Sequence, residues 1–343
     1  MSRCLQLAKN GLGSTFPNPM VGSVIICDGK IIGEGWHQKA GEAHAEVNAV
    51  NSVKNKALLE RSTIYVSLEP CSHFGKTPPC SDLIIAKGIK KVVIGTVDPF
   101  AKVAGRGIKK LLDAGCEVLV GVLEKECQDL NKRFFTFHQK KHPFIILKWA
   151  ESLDGFIAPD AANRQKQEPV WITSKTSRQL VHKWRAEEQS ILVGTNTVKA
   201  DNPGLTTRDW AGHSPTRIII DRNLSLSKNA AVFDQKVNTL VITNSEAENK
   251  TNLNYVKTEF DQNLPKHICE ILYTEGLQSV IIEGGSQTLQ AFIDANLWDE
   301  ARVFKGNSIL KSGIKAPVLM AIQDINTTTV SGDTLTIYSS THD

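Results

Sequence analysis

His44 and Glu46 lie in the stretch HAEVNAV (44–50), and Cys71 and Cys80 lie in LEPCSHFGKTPPC (68–80). One histidine and two cysteines are ligands that zinc prefers, and a site with three protein ligands leaves its fourth position for water, as catalytic zinc sites do. Glu46 can stand beside such an ion without ligating it and carry protons between the water and a leaving group. A closed structural site, with His37, His73 or another cysteine as fourth ligand, is the alternative. It would have no use for Glu46.

For these side chains to meet, separate elements must deliver them to one place. The apolar-periodic HAEVNAVNSV reads as a helix opening at His44, and CSDLIIAKG as a helix opening at Cys80 and stopped by Gly88. Helix N-termini suit thiolates, whose charge the free N–H groups and the macrodipole stabilise. H-x-E followed by P-C-x-x-C is the signature of zinc nucleobase deaminases, read here as His44-Ala45-Glu46, Pro70-Cys71 and Cys80. The departure is the spacing, since the eight residues SHFGKTPP separate the cysteines. Pro78-Pro79 can start the following helix and keep Cys80 at its N-terminus. His73 and Lys76 in the insert add cationic and hydrogen-bonding groups suited to an anionic substrate.

The surrounding pattern is that of an α/β layer sandwich. VGSVIIC and KIIGEGW flank Asp28-Gly29, a hairpin signal. TIYVSLEP, KVVIGTV and CEVLVGV read as strands, GRGIKKLLDAG as a helix, and EKECQDLNKRFFTFH as a single closing helix. Around HQKKHP the chain turns basic and polar, which puts a boundary near residue 141: residues 1–141 form one domain and 142–343 a second. In the second, FIILKWA, SILVG, TRIIID, NTLVIT, SVIIEGG and ARVF read as strands. SKTSRQLVHKWRAEE, LPKHICEILYTEG and SQTLQAFIDANL read as helices, and 244–264 as a polar surface segment. No G-x-G-x-x-G follows a strand there. SVIIEGGSQTL instead runs a strand through Gly284-Gly285-Ser286 into a helix, exposing N–H groups suited to a pyrophosphate.

Composition fits this division. The 343 residues, 41% hydrophobic and 22% charged, exceed one typical core. A formal net charge of +4 from 40 basic and 36 acidic residues is too mild for a nucleic-acid binder. The N-terminus lacks a signal-peptide core and no apolar run spans a bilayer, so a soluble cytoplasmic protein without membrane partners is expected. Seven scattered cysteines argue for reduced thiols. Cys4, Cys27, Cys116, Cys127 and Cys269 read as small buried or half-buried residues.

PNPMVG (17–22), GEGWHQKAGEAHAEVNAV (33–50), LEPCSHFGKTPPC and DPFAKVAGRGI (98–108) together resemble the deaminase domain of the RibD family of bifunctional riboflavin biosynthesis proteins. LKWAESLDGFIA, WITS, ILVGTNTVKADNPGLTTR and IIEGGSQTL resemble the family's reductase domain, so the likeness spans roughly residues 5 to 305. It implies a cytidine-deaminase-like three-layer sandwich followed by a dihydrofolate-reductase-like α/β domain. It also implies zinc-dependent deamination of a small pyrimidine ribosyl phosphate, then NADPH-dependent reduction of its ribosyl chain, and assembly as a homo-oligomer. The rival reading is a nucleoside, nucleotide or tRNA deaminase with an unrelated C-terminal domain.

By resemblance, zinc sits on His44, Cys71 and Cys80 with Glu46 as proton shuttle, Asn18 and His37 hold the pyrimidine, and Lys76 lies near the phosphate. NADPH touches Ala150, Trp171, Thr197, Asp201, Gly285 and Ser286. Lys148, Arg185, Leu205, Arg208 and Glu283 face the ribose phosphate, the two arginines as its clamp. Read without the resemblance, Arg185 is a solvated helix face and Trp171 a core aromatic. Three departures stand out: Phe100 where the family has Asn, Pro169 in place of a small polar residue, and the segment 302–317.

Overall fold

A computed structural model describes all residues except 73, 75–77, 101–102, 161–163, 165 and 342–343. His73 and Lys76 therefore lie outside the described residues. The chain divides into two compact units, Met1–Lys141 and His142–Asp343.

In the first unit, α1 (Ser2–Ala8) precedes the hairpin β1 (Gly22–Cys27) and β2 (Lys30–Trp36). Asp28 and Gly29 both take positive φ, 52° and 75°, as a two-residue hairpin turn requires. Then come α2 (Ala45–Ser52), β3 (Thr63–Leu68), α3 (Cys80–Ala86), β4 (Lys91–Thr96), α4 (Arg106–Asp113) and β5 (Glu117–Val120). The sheet runs β2-β1-β3-β4-β5, antiparallel at β2, β1 and β3 and parallel from β3 to β5. One face buries Ile25, Ile64, Val66, Val92 and Ile94 under Ala49 and Val50 of α2, Ile84 of α3 and Leu111 of α4. On the other, Cys4 and Leu7 of α1 pack on Val24. The result is the three-layer sandwich of the cytidine-deaminase type.

The closing helix differs from expectation. It is two helices, α5 (Glu124–Leu130) and α6 (Lys132–Lys140), parted at Asn131, whose φ and ψ are −104° and 23°. The cause is tertiary: the buried Asn131 side chain pairs with the Met20 backbone, Oδ1 accepting from N at 2.8 Å and Nδ2 donating to O at 2.9 Å.

The second unit begins with β6 (Phe144–Glu151), β7 (Phe156–Ala158), α7 (Lys175–Glu187), β8 (Ser190–Gly194) and α8 (Thr195–Asp201). It continues with β9 (Thr216–Ile220), β10 (Thr239–Thr243), β11 (Leu253–Lys257), α9 (Leu264–Thr274), β12 (Ser279–Ile282), α10 (Ser286–Asp294) and β13 (Glu300–Lys305). After β14 (Ile314–Lys315), a hairpin of β15 (Ile322–Val330) and β16 (Asp333–Ser340) closes the chain. The sheet order is β11-β10-β9-β8-β12-β6-β13-β16-β15, parallel from β11 to β13. β12 fills the place between β6 and β8, so the chain's direction across the sheet reverses there, and open α/β sheets bind ligands at such a point. The segment 244–264 lies mostly at the surface, as expected, and adds what the pattern did not show: a short edge strand, β11, whose residues pair in parallel register with β10 from Leu253 to Lys257, with Leu253 buried. The segment 302–317 supplies β14, which pairs with β7.

Among the described residues, no helix is long and apolar enough to cross a membrane. Cys4, Cys27, Cys116, Cys127 and Cys269 are buried free thiols.

One close approach sets the first unit's geometry. A Cβ on Gly35 would lie 2.4 Å from the Ala49 backbone nitrogen, so α2 rests directly on the bare backbone of β2. Gly35→Ala is expected to push α2 off the sheet and cost about 1–3 kcal/mol, the usual size of an overpacking penalty. Denaturant unfolding checks this, and an unchanged midpoint would mean the helix has slack.

Candidate active sites

In the first unit, His44 is the N-cap of α2 and Cys80 the first residue of α3, while Cys71 follows β3 through Glu69-Pro70. The three ligand atoms lie within 4.8 Å of one another. His44 Nδ1 is 3.6 Å from Cys71 Sγ and 3.3 Å from Cys80 Sγ. The Cys80 backbone N–H donates to Cys71 Sγ at 3.3 Å, and Ser81 ties the Cys71 carbonyl to α3 through both its N–H and its hydroxyl. Hydrogen bonding from the Cys80 thiol lowers the Cys71 pKa to about 4 despite burial, with His44 and the Cys80 N–H assisting. The Cys80 thiol is pushed up in turn, chiefly by that same bond. One thiolate, a second thiol and an imidazole on one centre fit zinc, and no fourth His, Cys, Asp or Glu joins them among the described residues.

Glu46 is 3% exposed and its pKa is raised, chiefly by burial and then by the charge of Cys71. It therefore sits beside the donors, as the spacing predicts. Asn18 Nδ2 donates to His37 Nε2 at 3.1 Å, and His37 Nδ1 donates to the Ala43 carbonyl at 3.1 Å. Those partners fix a neutral tautomer, and burial lowers the His37 pKa accordingly. Asp98, buried beside the site, has its pKa raised to about 6, mainly by burial. Phe100 packs with Leu68, Phe134 and Phe135, and its ring lies 5.0 Å from that of His138. Phe100, expected to stand out from the resembled pattern, thus packs at the edge of an apolar cluster here.

Residue-type reasoning missed Asn131, Glu69 and Asp98. Asn131 pins the loop that carries Asn18, and Glu69 ties backbone N–H groups of distant residues. No local signal marks either one, because each acts across the fold.

In the second unit, the C-terminal ends of β6, β12 and β8 come together. Lys148 and Ala150 lie on β6, and Glu283 follows β12. Glu283 and Arg185 of α7 form a buried two-point ion pair, Nη2 to Oε2 at 2.6 Å and Nε to Oε1 at 3.3 Å. Arg185 also donates to the Thr206 carbonyl at 3.3 Å, which brings the turn at Leu205 to the same place. Leu205 holds φ 50° while 2% exposed, a strained conformation for a buried leucine. Burial lowers the Lys148 pKa, and it works against ionisation of Glu283 as well, yet Arg185 and Lys148 hold Glu283 at about 2. Arg185 is therefore no solvated helix face.

Arg208 is placed by a residue the sequence did not mark. Buried His182 accepts from the Arg208 N–H at 3.3 Å and faces Asp209 at 3.3 Å, and its pKa falls to about 4 through burial first and then Arg185 and Arg208. The Arg208 side chain itself is half exposed.

Gly284 and Gly285 lead into α10 without a side-chain cap. A Cβ on Gly284 would lie 2.5 Å from Val193 Cα, and one on Gly285 3.4 Å from Thr197 Oγ1. The starts of α10 and α8 adjoin because β12 and β8 are neighbours. Two uncapped helix starts and a cradle that side chains would fill fit a dinucleotide's phosphates. Ser286 is the first residue of α10. Asp201 is paired with Arg164 at 2.5 Å, and Trp171 is exposed with Arg178 4.1 Å over its ring. Trp171 is no core aromatic.

Known proteins share this arrangement. Residues 1–96 match the cytidine and deoxycytidylate deaminase zinc-binding region, and 143–320 the RibD C-terminal domain. The riboflavin biosynthesis protein RibD of Aquifex aeolicus is 42% identical over 320 residues, 92% of this chain and 88% of that protein. The Escherichia coli protein of the same name is 36% identical over 334 residues, 91% and 88% of the two chains. A solved Thermotoga maritima structure, described as a diaminohydroxyphosphoribosylaminopyrimidine deaminase/5-amino-6-(5-phosphoribosylamino)uracil reductase, aligns at a TM-score of 0.89 and 39% identity, covering 99% of this chain and 97% of that one. Acinetobacter baumannii RibD aligns at 0.87 and 30%, covering 98% and 97%.

The Glu283 pair makes stability depend on pH in a definite sense. A carboxyl held at about 2 when folded contributes fully above its unfolded pKa, and the contribution is lost as pH falls toward 2. Glu283→Gln, which strands Arg185 and Lys148, should cost about 3–5 kcal/mol near neutral pH. The difference between the two proteins' unfolding free energies should shrink as pH falls from about 5 to about 2. A difference that stays constant over that range would remove the ion pair as its source.

Proposed function

The chain belongs to the RibD family of riboflavin biosynthesis enzymes, and from that premise we propose that its two sites act in turn on one pyrimidine ribosyl phosphate. It is a bifunctional enzyme, a zinc-dependent deaminase in the first unit and an NADPH-dependent reductase in the second. The proposed substrate is 2,5-diamino-6-ribosylamino-4(3H)-pyrimidinone 5′-phosphate. The first unit would hydrolyse its ring 2-amino group, and the second would reduce the ribosyl to a ribityl chain, giving 5-amino-6-ribitylamino-uracil 5′-phosphate. Cytoplasmic location, homo-oligomeric assembly and the division of labour at 141/142 belong to the same proposal.

The convergence of His44, Cys71 and Cys80 beside buried Glu46 carries the reading. When bound, zinc supplies Lewis-acid polarisation at the position its three ligands leave open. Glu46 takes a proton from the attacking water on a carboxylate oxygen and passes it to the departing amine, a role suited to a carboxyl whose pKa burial has raised. The neutral His37 holds the Asn18 amide, which leaves the Asn18 carbonyl oxygen to read the pyrimidine edge. Lys76 would meet the phosphate at this first site. In the second unit, Lys148, Leu205 and Glu283 face the ribosyl phosphate. The Arg185 guanidinium, expected to share the phosphate clamp, is engaged by Glu283 and the Thr206 carbonyl and braces that pair, while Arg208 extends toward the 5′-phosphate from its seat on His182. NADPH supplies the reducing equivalents. The first turn of α10 receives its phosphates, with Gly285, Ser286 and Thr197 around it and Ala150, Trp171 and Asp201 completing the contacts.

An assay that follows ammonia release and NADPH consumption together tests the pair of reactions. Glu46→Gln should keep zinc and lose roughly 10²–10⁴-fold in deamination, while NADPH consumption with already deaminated substrate persists. Normal ammonia release by the zinc-loaded variant would refute the role of Glu46.

For the phosphate, Arg208→Ala should lower reductase kcat/KM by about ten- to a hundred-fold, the loss of one charge-assisted hydrogen bond, and leave deamination nearly unchanged. With dephosphorylated substrate the same substitution should cost little more. Equal damage on both substrates would take Arg208 off the phosphate.

A further inference from the structure

The DPF and GRGI stretches (98–108) have no role in either reaction as described so far, yet their backbone converges on one buried side chain. Glu69, 4% exposed, accepts from the Gly107 N–H at 2.8 Å, Gly105 at 2.9 Å, Ile108 at 3.2 Å and Asp98 at 3.4 Å. The N-cap residue of α4 is Gly105, which has no side chain to cap its own helix, so a carboxylate from the end of another strand performs that task.

The anchor is also continuous with the metal ligands. Glu69 is followed by Pro70 and Cys71, and a Cβ on Gly107 would lie 2.0 Å from the Pro70 carbonyl oxygen, so the start of α4 bears directly on the residue before the ligand. Beyond it, the Cys71 carbonyl is fastened to Ser81 and the Cys71 sulfur to the Cys80 N–H. A displacement at α4 has no slack in which to dissipate before it reaches the thiols.

We propose that Glu69 is a positioning residue for deamination, its carboxylate holding the backbone at Asp98 and at the start of α4 against the segment that presents Cys71. It touches neither zinc nor substrate. It sets where Cys71 and the Asp98 carboxyl stand relative to each other. The inference rests on the deaminase reading of this unit, and the parent enzyme's ammonia release tests that reading separately.

Glu69→Gln keeps the size and shape of the side chain but leaves a single accepting oxygen for four donors. Measured well below its unfolding temperature, the folded variant should lose about ten- to a hundred-fold in deaminase kcat, as small misplacements of reacting groups do. Reductase turnover of already deaminated substrate should be unchanged. The cobalt-substituted variant should show displaced visible absorption bands, which report the geometry of the thiolate ligands independently of turnover. A purely stabilising cap would lower Tm and leave both kcat and the cobalt spectrum as in the parent, and that result would overturn the proposal. Should Glu69→Gln fail to fold, Glu69→Asp keeps the charged acceptor and draws the segment in by one methylene. It should show the same loss of kcat and the same spectral displacement, and parental values for both would be equally decisive against the proposal.

Discussion

The approach of α2 to the bare backbone of Gly35 is the constraint on which the first site hangs. His44 caps that helix and Glu46 lies in its first turn, so the depth of α2 on the sheet decides where an imidazole and a carboxylate stand. Cys71 and Cys80 come from other elements and meet His44 within 4.8 Å only if all the supports are in register. Three polar donors crowded together, Cys80 buried and His44 and Cys71 half-buried, are costly unless something binds them together. A cation is what this donor set fits.

The second unit meets a similar demand with side chains of its own. Glu283 would be forced neutral in so buried a place, but Arg185 and Lys148 keep it ionised, and the depressed carboxyl pKa records their combined effect. The pair also fixes Arg185, whose third contact is the Thr206 carbonyl next to the strained Leu205. Nearby, the Gly-Gly turn works by absence of bulk, with helix N–H groups left uncapped for a ligand. One site is thus built from side-chain charge and the other from exposed backbone, at the ends of adjoining strands.

Much of this was legible because the chemistry-bearing residues sit in local patterns. The hairpin at Asp28-Gly29, the helix starts at His44 and Cys80, and the strand running into Gly284-Gly285 are marked by their immediate neighbours. What was hidden depends on residues far away in sequence. Asn131 reads as an ordinary helical position until its side chain pairs with Met20 and divides the helix. Leu253–Lys257 is too short and polar to announce a strand, and parallel pairing with β10 makes it one. Arg185 lies on a helix with polar neighbours, and only Glu283, distant in the chain, shows that its face is buried. Glu69 looked like part of a motif rather than the cap of a helix that starts at Arg106.

The position of β12 in its sheet bears on the order in which the polypeptide can mature. β6 and β8 are separated by a vacancy that only residues 279–282 fill. A nascent chain emerging from the ribosome can pair β8, β9, β10 and β11 with one another, but it cannot join them to β6 through β12 until residues 279–282 have been made. The first unit has every strand of its sheet by Val120. Long-range closure of this kind is slow and leaves apolar strand edges uncovered while it waits. The reductase half is therefore the part of the molecule most exposed to aggregation during synthesis, and the deaminase half can be complete and closed long before it.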